Sequence, residues 1–274
     1  MLLYISDETE GKAAICRTTH LAIAAHQDDI EFMAYAPIAE CFGNQDKWFG
    51  AIVVTDGAGS PRSGLYADYT DEQMKEVRIA EQKKAACVGE YGFLAMLSHH
   101  SQEVKDAGNS KIVEELADLI RRARPKYLYT HNLADKHETH VATALKVIAA
   151  LRTLSPGERP EKVYGCEVWR DLDWLCDSEK VYLDCGAHPN LMRCLSAVFD
   201  SQIAGGKRYD LAAEGRRLAN ATFSASHACD TYSALNYAMD LTPLMNEREN
   251  IVGYITGYID EFRQAVLQVI RKFI

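Results

Sequence analysis

Residues 20–29, with the sequence HLAIAAHQDD, decide the fold. The first six are apolar enough on both faces to form a central strand of a parallel sheet, which is buried on both sides. The run stops at His26-Gln27-Asp28-Asp29. A helix is expected to begin there, because aspartate is favoured at helix N-termini by capping and by the helix dipole. A buried strand that leads through a polar turn into a helix predicts the first part of a β–α–β unit.

The same alternation of strand-like and helix-like segments continues along the chain. Strands are predicted at 48–54, 125–131, 163–169 and 181–184, and helical periodicity occurs at 72–90, 111–124 and 141–151. This pattern predicts an α/β fold, namely a Rossmann-like three-layer α/β/α arrangement around a mostly parallel sheet. We expect a single domain over 1–274, with a core at about 18–185 and a mainly helical C-terminal extension, 186–274, packed on it.

The composition is that of a globular protein, and its net charge argues against some classes of partner. Of the 274 residues, 47% are hydrophobic, and the net charge of −9 repels nucleic-acid phosphates and acidic membrane surfaces. No stretch approaches the roughly 18 uncharged apolar residues of a membrane span. The acidic opening also lacks the basic region of an export signal. We therefore expect a cytoplasmic protein with reduced cysteines, no membrane span and no nucleic-acid partner.

Residues with catalytic potential follow two of the predicted strands. His26 and Asp29 are three residues apart in one motif, and His137 and His140 have the same spacing in the other. The carboxyl ends of parallel strands share one edge of a sheet, so the two motifs can meet. A catalytic zinc takes three nitrogen or oxygen ligands and keeps an open position. His26, Asp29 and one later histidine supply that set, and Asp28 is then free for proton transfer. Taken singly, the first motif is also explained by an ordinary helix N-terminus, and the second by two solvated residues of a helix.

A charged pair lies in the apolar stripe of the predicted helix at 72–90. Arg78 and Glu81 are three residues apart and share this face. Burying both charges is costly unless each is compensated. Two explanations stay open, namely a buried ion pair that fixes the helix and a pair that shapes a site.

Three motifs together resemble those of a known family. Residues 25–31, AHQDDIE, resemble the AHPDDE signature of the LmbE-like (PIG-L) zinc de-N-acetylases. Arg78-x-x-Glu81 resembles their RxxE motif, and residues 135–140, DKHETH, resemble their second metal motif. The likeness spans roughly 18–185 and is specific in the order and spacing of the motifs.

The resemblance implies an LmbE-like fold and a set of functional residues. His26, Asp29 and His140 match the zinc ligands of the family. Asp28 matches the general base, and His137 matches the electrophilic or general-acid histidine. The implied reaction is the attack of an activated water on the carbonyl of an N-acetyl group. Either Asp28 or His137 would protonate the leaving amine.

The resemblance also implies a substrate and its contacts. We expect a small N-acetylated sugar of the N-acetylglucosamine type, alone or in a glycoconjugate, and one Zn²⁺ per chain, with other divalent metals as alternatives. Arg78 matches a substrate-contacting arginine. Asp56, in the loop after the second strand, and Arg170, after the strand at 163–169, are further candidates for binding substrate. Relatives assemble into homo-oligomers, so a second copy of the chain is an expected partner.

Two departures from the family pattern and two rival functions stay open. Gln27 replaces the usual proline, and Thr139 replaces an aspartate whose carboxylate is either missing or supplied by Asp135.

One rival function is that of a metal-dependent phosphoesterase with the same ligands. The other is a non-catalytic sugar-binding or nucleotide-binding protein, although no GxGxxG motif follows the first strand.

Overall fold

Eight strands form one sheet in the computed structural model, which describes residues 1–274. They are β1 (Leu2–Tyr4), β2 (His20–Ala24), β3 (Phe49–Thr55), β4 (Phe93–His99), β5 (Tyr127–His131), β6 (Lys162–Cys166), β7 (Lys180–Asp184) and β8 (Leu235–Asp240). Their order across the sheet is β1-β4-β3-β2-β5-β6-β8-β7. The central strands from β4 to β6 are parallel to one another, and the outer strands join them through antiparallel pairs.

Helices cover both faces of this sheet. They are α1 (Gly11–Cys16), α2 (Asp29–Met33), α3 (Tyr35–Cys41), α4 (Asp71–Val88), α5 (Ser101–Lys105), α6 (Ser110–Ala123), α7 (Glu138–Thr153), α8 (Pro189–Ala197), α9 (Asp200–Ala204), α10 (Tyr209–Phe223) and α11 (Ile251–Arg271). One apolar cluster packs α1, α5, α6, α7 and the start of α11 against one face. A second cluster packs α2, α3, α4 and α8 against the other. The predicted three-layer α/β/α fold with a mostly parallel sheet is confirmed. None of these helices combines the length and the hydropathy needed to cross a bilayer.

The strand order reverses between β2 and β5. From β2 the chain moves through β3 to β4 on one side, whereas β5 and β6 lie on the other. Connections that leave in opposite directions open a crevice at the carboxyl ends of the two strands, where open α/β sheets bind their ligands. The HQDD turn follows β2, and residues 137–140 begin α7 after β5. Both motifs therefore lie at this crevice.

The structure contains three strands that were not predicted from the sequence, β1, β4 and β8, and it interrupts one expected helix. β8 belongs to the C-terminal part but lies between β6 and β7, so residues beyond 186 complete the sheet as well as cover it. The helix expected to begin at the HQDD turn is divided into α2 and α3 by a break at Ala34, three residues before Pro37. Pro37 has no N–H to donate to the Met33 carbonyl, so the first helix cannot continue through it.

Candidate active site

A cavity of about 370 Å³ opens at the carboxyl ends of β2 and β5. Seven of the residues predicted from the sequence line it, namely His26, Asp28, Asp29, Asp56, Arg78, His137 and His140. Arg170 is exposed and lies outside the lining, whereas its neighbours Val168 and Trp169 are part of it. The substrate contact expected of Arg170 is therefore not supported, because its charge stays hydrated while Trp169 takes the cavity-facing position.

Three side chains bring one ligand atom each to the corners of a nearly equilateral triangle. Asp29 Oδ2 lies 3.1 Å from His26 Nδ1 and 3.3 Å from His140 Nε2, and the two nitrogens are 3.2 Å apart. A tetrahedral zinc site with bonds of about 2.0–2.1 Å separates its ligand atoms by about 3.3 Å. The triangle formed by His26, Asp29 and His140, which we call the metal triad, therefore has the size that one such ion needs.

Local hydrogen bonds orient two members of the metal triad. The backbone N–H of His26 donates to Asp29 Oδ2 at 2.8 Å, which closes the turn between β2 and α2. His140 lies in the first turn of α7, and its Nδ1 is 3.0 Å from Asp135 Oδ2. A carboxylate on one ring nitrogen fixes the imidazole and leaves the other nitrogen for a metal. Asp135 thus supplies the carboxylate that Thr139, at the usual aspartate position, does not.

We expect Asp135→Asn to lower zinc affinity roughly 10–100-fold, as is typical when the partner of a metal-binding histidine is changed. The amide is a weaker acceptor for the His140 N–H and leaves the imidazole less basic. A competition titration with a chelating dye measures the dissociation constant, and Asp173→Asn, at an exposed position, serves as the control. An unchanged constant for Asp135→Asn would show that the carboxylate does not support a metal ligand.

The charges around the metal triad favour a cation. Burial alone would raise the pKa of Asp29, but the charges of His140 and His26 hold it well below its usual range. Burial would also lower the pKa of His140, yet the Asp29 and Asp135 carboxylates outweigh it and raise that pKa to about 10. Two buried carboxylates thus stabilise positive charge at this point. The donor types, their spacing and this electrostatic field all fit a divalent metal ion.

Two more histidines border the metal triad. Ligand atoms also come within 4.8 Å of one another in the triples His26/His137/His140 and Asp29/His131/His140. His131 is fully buried, and its Nε2 accepts a hydrogen bond from the Ala25 N–H at 2.8 Å, so this lone pair is already used. The Asp29 oxygen is farther from the same nitrogen, at 3.4 Å. His131 stacks on His140 with ring centroids 3.9 Å apart, so it packs against a member of the metal triad.

His137 stands beside the metal triad at the start of α7. Its ring centroid is 5.0 Å from that of His26 and 4.7 Å from that of His140. The backbone N–H of Thr139 donates to His137 Nδ1 at 3.3 Å. In the neutral imidazole this leaves the proton on Nε2. His137 can therefore donate a hydrogen bond into the cavity without carrying a positive charge.

Asp28 is buried and held in an unusual backbone conformation. Its φ of +96° lies in a region that is costly for a residue other than glycine. The Gln82 Oε1 accepts its backbone N–H at 3.1 Å, and Arg78 Nη2 lies 3.0 Å from its Oδ2. Burial raises the pKa of Asp28 to about 6 against the opposing effect of Arg78. A carboxylate fixed in this way, next to but outside the metal triad, is suited to proton transfer.

A buried hydrogen-bond chain supports this strained residue. Gln82 is fully buried, and its Nε2 donates to Glu31 Oε1 at 2.8 Å. The Tyr91 hydroxyl donates to the same Glu31 oxygen at 2.7 Å. Gln82 therefore connects the backbone of Asp28 to a buried hydrogen-bond network, and this network fixes the position of Asp28.

We expect Gln82→Met to reduce turnover roughly 10–100-fold with little change in KM or bound metal, because a small displacement of a reacting group is costly. Methionine keeps the volume but leaves the Asp28 N–H and the Glu31 carboxyl without this partner. Gln82→Glu keeps the acceptor for the Asp28 N–H and should recover part of the rate. Lys84→Met, exposed on the same helix, is the control. Equal kinetics for Gln82→Met and Lys84→Met would contradict the positioning role.

The terminal nitrogens of Arg78, Nη1 and Nη2, already have partners within the protein, unlike those expected of an arginine that contacts substrate. It is 1% exposed, and its Nη1 lies 3.0 Å from Glu81 Oε2 and 3.3 Å from Ser201 Oγ. Its Nη2 contacts the Gln27 carbonyl as well as Asp28. The structure thus contains the buried ion pair of Arg78 and Glu81, and this pair also shapes the site through Asp28. A positioning role fits this placement better than contact with substrate.

Asp56 lies on the cavity wall, but both of its oxygens have partners. The Ala58 N–H donates to Oδ1 at 3.1 Å, and Lys75 Nζ lies 3.2 Å from Oδ2. A sugar hydroxyl could bind Asp56 only by sharing these oxygens. The expected contact of Asp56 with substrate therefore stays a prediction.

Several lining residues were not predicted from the sequence. Gln202 reaches the cavity from α9, Lys207 from the loop that follows it and Tyr209 from the start of α10, while His100 and Lys105 lie at the two ends of α5. Lys207 lies over the Trp169 ring at 5.5 Å. The run from Gly205 to Tyr209 has no recognisable ligand motif and is typical of a surface turn. Only the packing of the C-terminal part brings it to the site.

The family match decides the classification. A family model described as GlcNAc-PI de-N-acetylase, PIG-L, matches residues 21–151. The chain contains a PIG-L domain. All three motifs of the resemblance lie inside the matched range, so the family prediction is confirmed. The PIG-L domain supplies β2 to β5 and all residues of the metal triad.

Solved structures share the fold at low sequence identity. The conserved protein TT1542 from Thermus thermophilus is 17% identical, with 82% of this chain and 94% of that chain covered at a TM-score of 0.65. GalB, the 4-carboxy-2-hydroxymuconate hydratase from Pseudomonas putida, is 17% identical, with 85% and 99% covered at 0.63. N,N'-diacetylchitobiose deacetylase from Pyrococcus horikoshii is 12% identical, with 85% and 87% covered at 0.63. No curated protein matched the sequence. At these identities the structures establish only the fold around the PIG-L domain.

Proposed function

We propose that this protein hydrolyses the N-acetyl amide of an N-acetylglucosamine-type sugar or glycoconjugate in the cytoplasm, with one divalent metal ion per chain and zinc as the expected ion. The observation that carries this proposal is the metal triad beside Asp28 in the cavity at the strand-order reversal. The PIG-L match and the chitobiose deacetylase among the similar structures support an acetyl-sugar substrate.

The metal triad would hold the ion through His26 Nδ1, Asp29 Oδ2 and His140 Nε2. When bound, such an ion supplies Lewis-acid chemistry, which makes an attacking water more acidic and polarises a carbonyl. His137 and His131 are left outside this ligand set.

The protein's own groups then divide the proton transfers. Asp28 accepts a proton from the attacking water while the new carbon–oxygen bond forms at the acetyl carbonyl. His137 donates a hydrogen bond from Nε2 to the oxygen on which negative charge develops. When the carbon–nitrogen bond breaks, the proton that Asp28 took from the water passes to the leaving amine, either directly or through His137, whose Nε2 proton is then replaced by it. The products are acetate and the amino sugar, whose amine takes up the second proton of the water. Arg78 and Gln82 hold Asp28 in place throughout.

The two rival functions make different demands on the site. Phosphoesterases of this kind often use two metals about 3.5–4 Å apart. Here the further triples of ligand atoms each share two residues with the metal triad, so they provide no separate second set. A non-catalytic binding protein would not need a buried carboxylate held at a positive φ next to the metal triad. Neither rival accounts for Asp28 as directly as amide hydrolysis does.

The function is tested by measuring acetate release from N-acetylglucosamine, N,N'-diacetylchitobiose and larger N-acetylated glycoconjugates. We expect release by the zinc-loaded protein, loss of release with a chelator, and recovery when zinc is added back. A parallel assay with p-nitrophenyl phosphate should give no product. Equal acetate in the presence and absence of chelator would contradict the metal requirement. Phosphate release without acetate would favour the phosphoesterase.

A further inference from the structure

A second cavity, of about 140 Å³, adjoins the active-site cavity. Phe32, Val168, Trp169 and Tyr209 line both of them. The rest of the lining of the second cavity comes from the segment after β6, from α10 and from β8. Its volume is that of about five water molecules. It therefore has room for one ring-sized group next to whatever fills the active-site cavity.

The second cavity begins close to the metal triad. Phe32 follows Asp29 by three residues in α2, which is about 4.5 Å along the helix axis. Burial, together with the nearby charges of Asp28 and Asp29, raises the pKa of Tyr209 to about 12. A molecule whose acetyl group lies at the metal triad therefore reaches the second cavity with the next ring along its length.

The wall shared by the two cavities is aromatic and carries unused hydrogen-bonding groups. The rings of Trp169 and Tyr209 lie 6.0 Å apart, edge to face, and Phe32 lies 5.3 Å from Tyr209. The indole N–H groups of Trp48 and Trp174 have acceptors within the protein, whereas that of Trp169 has none. The Tyr209 hydroxyl has no protein partner either. Tyrosine and tryptophan usually pair these groups when buried, so this wall is suited to a polar ligand that also stacks on rings.

An acid and a base that are not fully paired lie on the other side of the second cavity. Asp171 Oδ2 lies 4.0 Å from Arg216 Nε, which is too long for a hydrogen bond. Arg216 Nη1 donates to the Val168 carbonyl at 2.6 Å, which leaves Nη2 without a partner. Asp171 can therefore accept a hydrogen bond from a ligand, and Arg216 can donate one.

These features favour a neutral hydroxylated ring as the occupant. A charged group of either sign would meet a like charge, because Asp171 and Arg216 lie side by side. A hydrocarbon chain would deprive both charges of water without replacing it, which is costly. A sugar ring offers hydroxyls to both side chains and its C–H groups to the aromatic wall. Few polar groups among aromatic side chains are the usual means by which a pocket orients a small ligand.

We propose that the second cavity binds a neutral sugar unit linked to the N-acetylated one, an inference that rests on the proposed function. The preferred substrate then has at least two sugar units, with Trp169 and Tyr209 between the two subsites. Apart from Phe32, every residue that lines the second cavity lies outside residues 21–151. The preference for a second unit therefore belongs to the C-terminal part of this chain and not to the PIG-L domain.

The first test is a calorimetric titration of the zinc-loaded Asp28→Asn protein, which should bind substrate with little turnover. The probes are N-acetylglucosamine and N,N'-diacetylchitobiose. We expect the dissociation constant of the two-unit sugar to be ~10–100-fold lower, the range of a stacking contact with one or two hydrogen bonds. Equal constants for the two sugars would overturn the proposal.

The second test fills or alters the second cavity in the same Asp28→Asn protein. Ala212 lines the second cavity from the exposed side of α10, so Ala212→Trp should occupy it and raise the constant for N,N'-diacetylchitobiose at least ~10-fold. Asp171→Ala should raise it ~10-fold, because a hydroxyl loses a charged acceptor. Leu211→Trp, at an exposed position outside the lining, is the matched control. If both variants bind this sugar as tightly as Leu211→Trp, the proposal is wrong.

Acetate release by the unchanged protein separates this inference from the proposed function. We expect kcat/KM to be ~10–100-fold higher for N,N'-diacetylchitobiose than for N-acetylglucosamine. Release from both sugars with equal kcat/KM would overturn the inference and leave the proposed function standing. Tight binding of the two-unit sugar that Ala212→Trp weakens, without acetate from either sugar, would support the second cavity as a sugar site and contradict the proposed function.

Discussion

Asp28→Asn is expected to lower the rate of acetate release roughly 10²–10⁴-fold, the usual contribution of general acid–base catalysis. The amide has the same size as the carboxylate but cannot accept a proton from the attacking water. Asparagine also tolerates the positive φ of this position better than most residues. The fold and the metal triad should therefore persist, and elemental analysis should find the same zinc content as in the unchanged protein.

Asp56→Asn is the matched control for this substitution. It also replaces a cavity-lining aspartate, but one whose oxygens bind Ala58 and Lys75 rather than facing the metal triad. We expect it to change turnover less than ~10-fold, within the range of a lost hydrogen bond. Unchanged turnover in Asp28→Asn would show that the base is misassigned. Loss of zinc from Asp28→Asn would mean that Asp28 is itself a ligand.

Asp29→Asn is expected to have the opposite signature, with loss of metal as the primary defect. Asp29 Oδ2 is the atom on which the nitrogens of His26, His140 and His131 converge, at 3.1, 3.3 and 3.4 Å. Removing its charge should lower zinc affinity by more than the ~10–100-fold typical of a residue that only supports a ligand. The asparagine oxygen can still accept the His26 N–H, so the turn after β2 should survive.

The contrast between the two neighbouring aspartates is informative because the substitutions are chemically identical. Zinc titration of Asp29→Asn, with Asp28→Asn as its control, separates loss of ligand from loss of base. Excess zinc should partly recover the activity of Asp29→Asn but not that of Asp28→Asn. If Asp29→Asn bound zinc as tightly as the unchanged protein, the carboxylate would have no place in the ligand set.

The sequence is most informative about the site at the ends of β2 and β5. His26, Asp29 and one histidine of the second motif were predicted to meet because parallel strands end at one edge of the sheet, and the family resemblance pointed to His140. In the structure the ligand atoms of His26, Asp29 and His140 are 3.1–3.3 Å apart. The strand at 20–24 was predictable because its residues are apolar on both faces. Local pattern and topology thus brought the two motifs together, and the resemblance chose between His137 and His140.

Tertiary packing decides the features that were not predicted. The local sequence around Arg78 does not show whether this arginine contacts substrate or Asp28. Its contact with Asp28 arises because α4 packs against the HQDD turn. β8 enters the sheet between strands that precede it in the chain, which no local pattern indicates. Lys207 and Tyr209 line the cavity for the same reason. Arg170 was expected in the site because it follows a strand, but Trp169 takes that position.

The account depends most on the metal triad, and anomalous diffraction at the zinc edge from crystals grown with zinc tests it most directly. We expect one strong anomalous peak per chain, within about 2.0–2.2 Å of His26 Nδ1, Asp29 Oδ2 and His140 Nε2. A peak bonded to His131 or His137 in place of Asp29, or no peak within reach of these three atoms, would contradict it.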